Sequence, residues 1–225
     1  ANWGERMATA PSGPDPHPVT VPRPGHADLA GGLKYGHVGD LRNVLERASA
    51  RETAMRVGLG AIAKALLREL GVQVGSYVRS IGDVDGAIAP EVAPGAYCDD
   101  AEALGLLADR TETRALDPES SLRFARAVDG ARDRRDTLGG VIEVVVTNVP
   151  AGLGSHAQWD RRLDGRLARA LMAIPAVKAV EIGEGWVNAR HFGSVVHDPI
   201  IRGVDRLARA QNRAGGLEGG MTNGE

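Results

Sequence analysis

Residues 49–70 read SARETAMRVGLGAIAKALLREL, and this stretch decides the fold class. Met55, Leu59, Ile62, Leu66 and Leu70 recur at spacings of three and four, which places them on one face of a helix. Ser49 followed by Glu52 fits a capping box, and Gly71 supplies the stop. Directly after it, VQVGSYVRSI at 72–81 has the composition of a strand and is expected to pack near the helix.

Outward from this pair, residues 141–149 are so rich in β-branched side chains that a second strand is expected. Residues 99–131 read as helical with a break at Pro118. Leu163, Leu167, Leu171 and Ile174 form another apolar stripe that Pro175 should end, and Val177–Ile182 reads as a further strand. From Gly183 onward the pattern is mostly loop. Helices and strands mix without a regular βαβ period, so the class expected is α+β.

Residues 1–22 carry Pro11, Pro14, Pro16, Pro18 and Pro22 and read as a proline-rich loop. Residues 23–225 are then expected to form the central part of a single domain. A start in such a loop, and an end among Gly215, Gly216, Gly219 and Gly220, suggest a piece of something longer.

Composition narrows the function classes. Only 4% of residues are aromatic, so the core is expected to be built mainly from Ala, Val, Leu and Ile. With 27 basic and 29 acidic residues the net charge is -2, which argues against duplex nucleic acid as the main partner but leaves room for a local anion pocket. Cys98 is the single cysteine, which excludes an internal disulfide and a multi-cysteine metal site. No apolar run reaches membrane-spanning length and no secretory leader is visible, so a cytoplasmic protein without membrane contact is expected. No metal site is expected either, since His156, His191 and His197 lack zinc-protease spacing.

Three segments have the chemistry of a site. In Arg23-Pro24-Gly25-His26-Ala27-Asp28, a histidine able to exchange protons stands beside an anion-binding arginine; a surface loop histidine is the plainer alternative. Arg47-Ala48-Ser49-Ala50-Arg51 opens the long helix, where free N–H groups bind phosphate; a simple cap uses the same atoms. The segment NRAGGLEGGMTNG at 212–224 has enough glycine to lay backbone against a ligand, or to be a flexible loop.

Together these segments resemble the chorismate synthase family. RPGHADLAGGLKY at 23–35, RASARETAMRV at 47–57, DTLGG at 136–140, GLGSHAQWDRRLDGRLARALM from Gly152, VEIGEGW from Val180, GSVVHD from Gly193 and NRAGGLEGGMTNG follow it in order. The variant LERASARET is similar to the actinobacterial form. The resemblance implies the chorismate synthase fold, an α+β core with helices sandwiched between antiparallel or mixed sheets, assembled as a homotetramer.

It also implies a phosphate lyase that performs the anti-1,4-elimination of phosphate from 5-enolpyruvylshikimate 3-phosphate, using reduced FMN, with NADPH as a candidate flavin reductant. By resemblance His26 would be catalytic, Arg23 and Arg51 would bind substrate, and Arg47, Ala48, Ser49, Pro175, Ala176 and Gly219 would contact FMN. The family's opening Gly-Glu-Ser-His-Gly segment and its later Lys-Pro-x-x-Ser and Arg-Ser-Asp segments have no counterpart here. The expectation is a fragment lacking both terminal regions, with a non-catalytic homologue that keeps partial flavin or anion binding, or subunit association, as the alternative.

Overall fold

The structure, a computed structural model, describes residues 17–88, 98–204 and 206–225. It divides into two compact units: residues up to Leu59 with Ile174–Ala176, and residues 60–173 with 177–225.

In the first unit, residues 17–22 carry neither helix nor strand, and the proline-rich stretch before them lies outside the described residues. Helix α1 (Asp28–Tyr35) ends at Gly36, whose left-handed φ of 73° closes it. Helix α2 (Arg42–Glu46) follows, and the two pack together through glycine. A Cβ at Gly31 would meet Val44 Cγ1 at 2.7 Å, and one at Gly32 would meet Leu41 Cδ2 at 2.6 Å. The sequence AGG in α1 is therefore the surface that lets Leu41 become fully buried.

Helix α3 (Ala50–Glu69) forms where the periodicity places it, and it stops at Gly71 with φ 80°. Twenty residues make it about 30 Å long. Its predicted apolar stripe is not covered: Met55 is 69% and Ile62 70% exposed, and Leu59, Leu66 and Leu70 are similar. The capping box is also not what forms. Glu52 instead pairs with Arg56 one turn along, while the Ser49 carbonyl accepts from Thr53 N at 3.1 Å and from Thr53 Oγ1 at 3.1 Å.

The second unit is organised by strand β1 (Gln73–Ile81), flanked antiparallel by β2 (Val84–Asp85) and β3 (Gly140–Thr147). Helix α4 (Ala101–Ala108) lies on one face of β1, and α5 (Pro118–Asp133) packs beside it. Both helices start on aspartate caps: Asp100 Oδ1 accepts from Ala103 N, and Asp117 Oδ1 from Ser120 N, each at 2.8 Å. Pro118 thus opens a helix rather than breaking one, because its missing N–H costs nothing at the first position.

Tyr77, Leu104, Ala108 and Leu116 form the core under this face, with Cys98 and Val145 against it. Register explains the choice, since Gly75↔Val145 and Tyr77↔Glu143 point one way and Val74↔Val146, Ser76↔Val144 and Val78↔Ile142 the other. On that second face Ile142, Val144 and Val146 are exposed.

Beyond β3 come a 3₁₀ turn at Trp159–Arg161, helix α6 (Leu163–Met172), two single-turn helices, and the hairpins β4–β5 (Ile200–Arg202, Leu207–Arg209) and β6–β7 (Leu217–Glu218, Met221–Thr222). The strand expected at Val177–Ile182 does not form. Its apolar composition suits a strand, but among the described residues no ladder partner lies beside it.

Candidate functional site

Residues 23–28 make a closed loop. Asp28, the first residue of α1, is only 1% exposed and accepts three hydrogen bonds from Arg23. Arg23 N and Nε donate to Oδ2 at 3.0 and 2.9 Å, and Nη2 donates to Oδ1 at 3.1 Å. These bonds outweigh the opposing effect of burial and bring the Asp28 carboxyl down to about 2. Within the loop, Gly25 has φ 71°, and His26 Nδ1 lies 3.0 Å from the Pro24 carbonyl oxygen. His26 is exposed. Arg23, read from the sequence as a substrate ligand, has its charge matched by Asp28.

At the start of α3, Ser49 adopts the left-handed region at φ 60°. A non-glycine residue held there costs about 1–3 kcal/mol, so its surroundings must hold it. The first N–H groups of α3 have no intrahelical acceptors. Arg47 is exposed and forms no ion pair among the described residues, whereas Arg51 pairs with Glu46. Ala48, half-buried, donates its N–H to Leu45 O at 3.3 Å. Glu52 Oε2 is buried and has no hydrogen-bond partner among the described residues.

Pro175 and Ala176 are more than 120 residues away in sequence, yet Ile174–Ala176 belongs to the same compact unit as residues up to Leu59. Ala176 is also left-handed, at φ 71°. Eight of the nine site residues expected from sequence thus share one unit, and the two strained ones among them are both at expected cofactor positions.

Gly219 belongs to the other unit. With Gly220 it forms the two-residue turn of β6–β7, at φ 58° and 86°, which only glycine adopts without strain. A Cβ on Gly220 would meet Arg162 Cγ at 2.8 Å, while nothing lies within 4 Å of one on Gly219. Backbone at Gly219 is therefore open to approach. In the same unit, Asn188, His197, Asp198, Arg209 and Glu218 line an open cleft of about 340 Å³. Arg209 donates to both Glu218 oxygens at 2.9 and 2.7 Å, which holds that carboxyl below its usual range.

Sequence reasoning missed the carboxylates Asp28 and Glu46 that pair with the predicted arginines. Asp28 had a signal, since it closes the same short motif that Arg23 opens; Glu46, outside its motif, had none. Among the described residues, no group of three His, Cys, Asp or Glu side chains could hold a metal ion, and no helix is long and apolar enough to cross a membrane.

The arrangement is that of an α+β protein whose helix N-terminus, strained serine and adjacent arginine suit a phosphorylated ligand. A family model described as chorismate synthase matches residues 2–225. The chain is 56% identical over 209 residues to a chorismate synthase of Salinispora tropica, covering 92% of this chain and 51% of that protein. With that of Rubrobacter xylanophilus it shares 54% over 227 residues, covering 100% and 55%. A crystal structure of chorismate synthase superposes with a TM-score of 0.80 at 48% identity, covering 88% of this chain and 59% of the other. The chain belongs to the chorismate synthase family. It spans about half the length of the curated relatives it matches.

Proposed function

We propose that this chain serves the elimination of phosphate from 5-enolpyruvylshikimate 3-phosphate to give chorismate, with reduced FMN as cofactor. The observation that carries the reading is the gathering of His26, Arg47, Ser49, Arg51, Pro175 and Ala176 into one compact unit, with left-handed backbone at Ser49 and Ala176.

The residues present fit a flavin mononucleotide. The backbone N–H groups at the start of α3, the Ser49 hydroxyl and Arg47 are donors suited to a phosphate, and Glu52 Oε2, orphaned among the described residues, is an acceptor suited to a hydroxyl. Ala48 and Pro175–Ala176 add backbone and apolar surface. When bound, a reduced flavin would supply transient electron density to the substrate ring.

The chain's own residues do the rest. Arg51 can meet an anionic group of the substrate by exchanging Glu46 for it, which favours a ligand carrying more than one negative charge. Fixed positive charge of this kind stabilises phosphate as it departs. Arg23, saturated by Asp28, contributes by shaping the loop. His26, exposed in the loop, would hold or pass a proton through its imidazole.

NADPH as reductant, a cytoplasmic setting and assembly into a tetramer are part of the same reading and follow from the family resemblance. The test is anaerobic. Reduced FMN and 5-enolpyruvylshikimate 3-phosphate are added to the folded chain and chorismate release is followed. Turnover supports the proposal. Flavin binding without turnover limits this chain to a binding role, and the absence of both overturns the reading.

A further inference from the structure

We infer that Asp28 is a positioning residue for His26: by pinning Arg23 it closes the 23–28 loop and holds the imidazole on the Pro24 carbonyl, which leaves Nε2 as the nitrogen free to take a proton. The functional meaning rests on the reading of His26 as the acid–base group; the geometry does not.

The chemistry of the contact sets the tautomer. A carbonyl oxygen only accepts, so at 3.0 Å from Pro24 O it is Nδ1 that carries the hydrogen in the neutral ring. Free histidine prefers the opposite tautomer, so this contact has to be imposed. His26 is exposed, and packing does not impose it. What remains is the backbone, and the backbone of this loop is fixed at its base by three hydrogen bonds between Arg23 and Asp28, two of them the parallel fork that guanidinium and carboxylate make. Asp28 is itself anchored as the first residue of α1 and is covered from water. The left-handed Gly25 lets the chain reverse between the two ends, and His26 N adds a bond to Arg23 O at 3.4 Å. Asp28 is buried and acts through Arg23.

The experiment is nitrogen-detected NMR of the full ¹⁵N-labelled chain at about pH 8. In the native chain Nδ1 is expected to be the protonated nitrogen in the large majority of rings. In Asp28→Asn, which keeps shape but loses the ion pair, the Nδ1–H form is expected to fall to a minority while amide exchange in α1 reports an intact helix. Arg23→Lys keeps the charge and loses the fork, and it should give an intermediate population. A native ring protonated at Nε2 overturns the proposal. So does a folded Asp28→Asn chain that keeps the native tautomer, or, should that variant not fold, an Arg23→Lys chain that keeps it. Neither flavin nor substrate enters the measurement, so its failure leaves the proposed activity to be judged by turnover alone.

Discussion

Helix α4 lies so close on strand β1 that a side-chain carbon at Gly75 would overlap the carbonyl oxygen of Ala101. Gly105 approaches the same point, its N–H 3.2 Å from that hypothetical atom. Gly75→Ala should therefore destabilise the fold by about 1–3 kcal/mol, because the obstruction is backbone and cannot rotate away. Gly130→Ala, in open space within α5, should do the reverse and add up to about 1 kcal/mol. Urea unfolding of the two variants checks both; equal effects would mean the close approach is not a constraint.

Ser49 and Ala176 offer a separation of strain from binding. Replacing either by glycine removes the left-handed penalty, so stability is expected to hold or to rise by up to about 1 kcal/mol. Ser49→Gly also removes a hydroxyl and should weaken FMN binding roughly 2- to 10-fold. Ala176→Gly removes only a methyl group and should leave affinity nearly unchanged. Flavin fluorescence titration beside thermal unfolding reads both quantities.

His26→Ala, tested in a chain carrying the family's full length, should slow the chemical step by about 10²–10⁴ and spare most FMN affinity. The side chain is exposed, and its contact is with the local Pro24 carbonyl, so the surrounding fold does not depend on it. Wholesale loss of flavin binding would reassign His26 from proton transfer to cofactor holding.

Asp28 makes stability depend on acid. Its carboxyl titrates at about 2 in the fold against an ordinary 3.8, because Arg23 bonds to the charged form. A depressed carboxylate stabilises the fold fully above its unfolded value and loses that contribution as pH falls through the folded one. The Asp28 contribution should thus be complete above about pH 4 and fade toward pH 2. Asp28→Asn should flatten the slope of stability in that window; an unchanged slope would mean that Arg23 does not discriminate the charged form.

Much of the fold is legible in the sequence. The α3 helix and its stop at Gly71, and strands β1 and β3, lie within a residue or two of where periodicity and β-branched content place them. These are local properties, set by side-chain spacing and backbone preference over a few residues. The α+β class follows from them, and the ordered motifs carry the family.

Other features depend on what lies far away in sequence. Val177–Ile182 has strand composition but no ladder partner among the described residues, and composition cannot supply one. The α3 stripe has helical spacing, yet spacing does not say what covers it. Glu52 turned to Arg56 rather than back to Ser49, since a left-handed serine does not present the geometry a capping box needs.

What the sequence by itself determined is the set of elements, the family and the identity of the candidate residues, His26, Ser49 and Arg51 among them. Tertiary structure alone decided that Ile174–Ala176 joins the unit holding His26 and Ser49, that Ser49 and Ala176 are left-handed, and that Glu46 matches the charge of Arg51. The physical reason is that helix and strand preferences act over neighbouring residues. Which carboxylate an arginine meets, and which backbone must strain, follow from contacts that only the folded chain brings together.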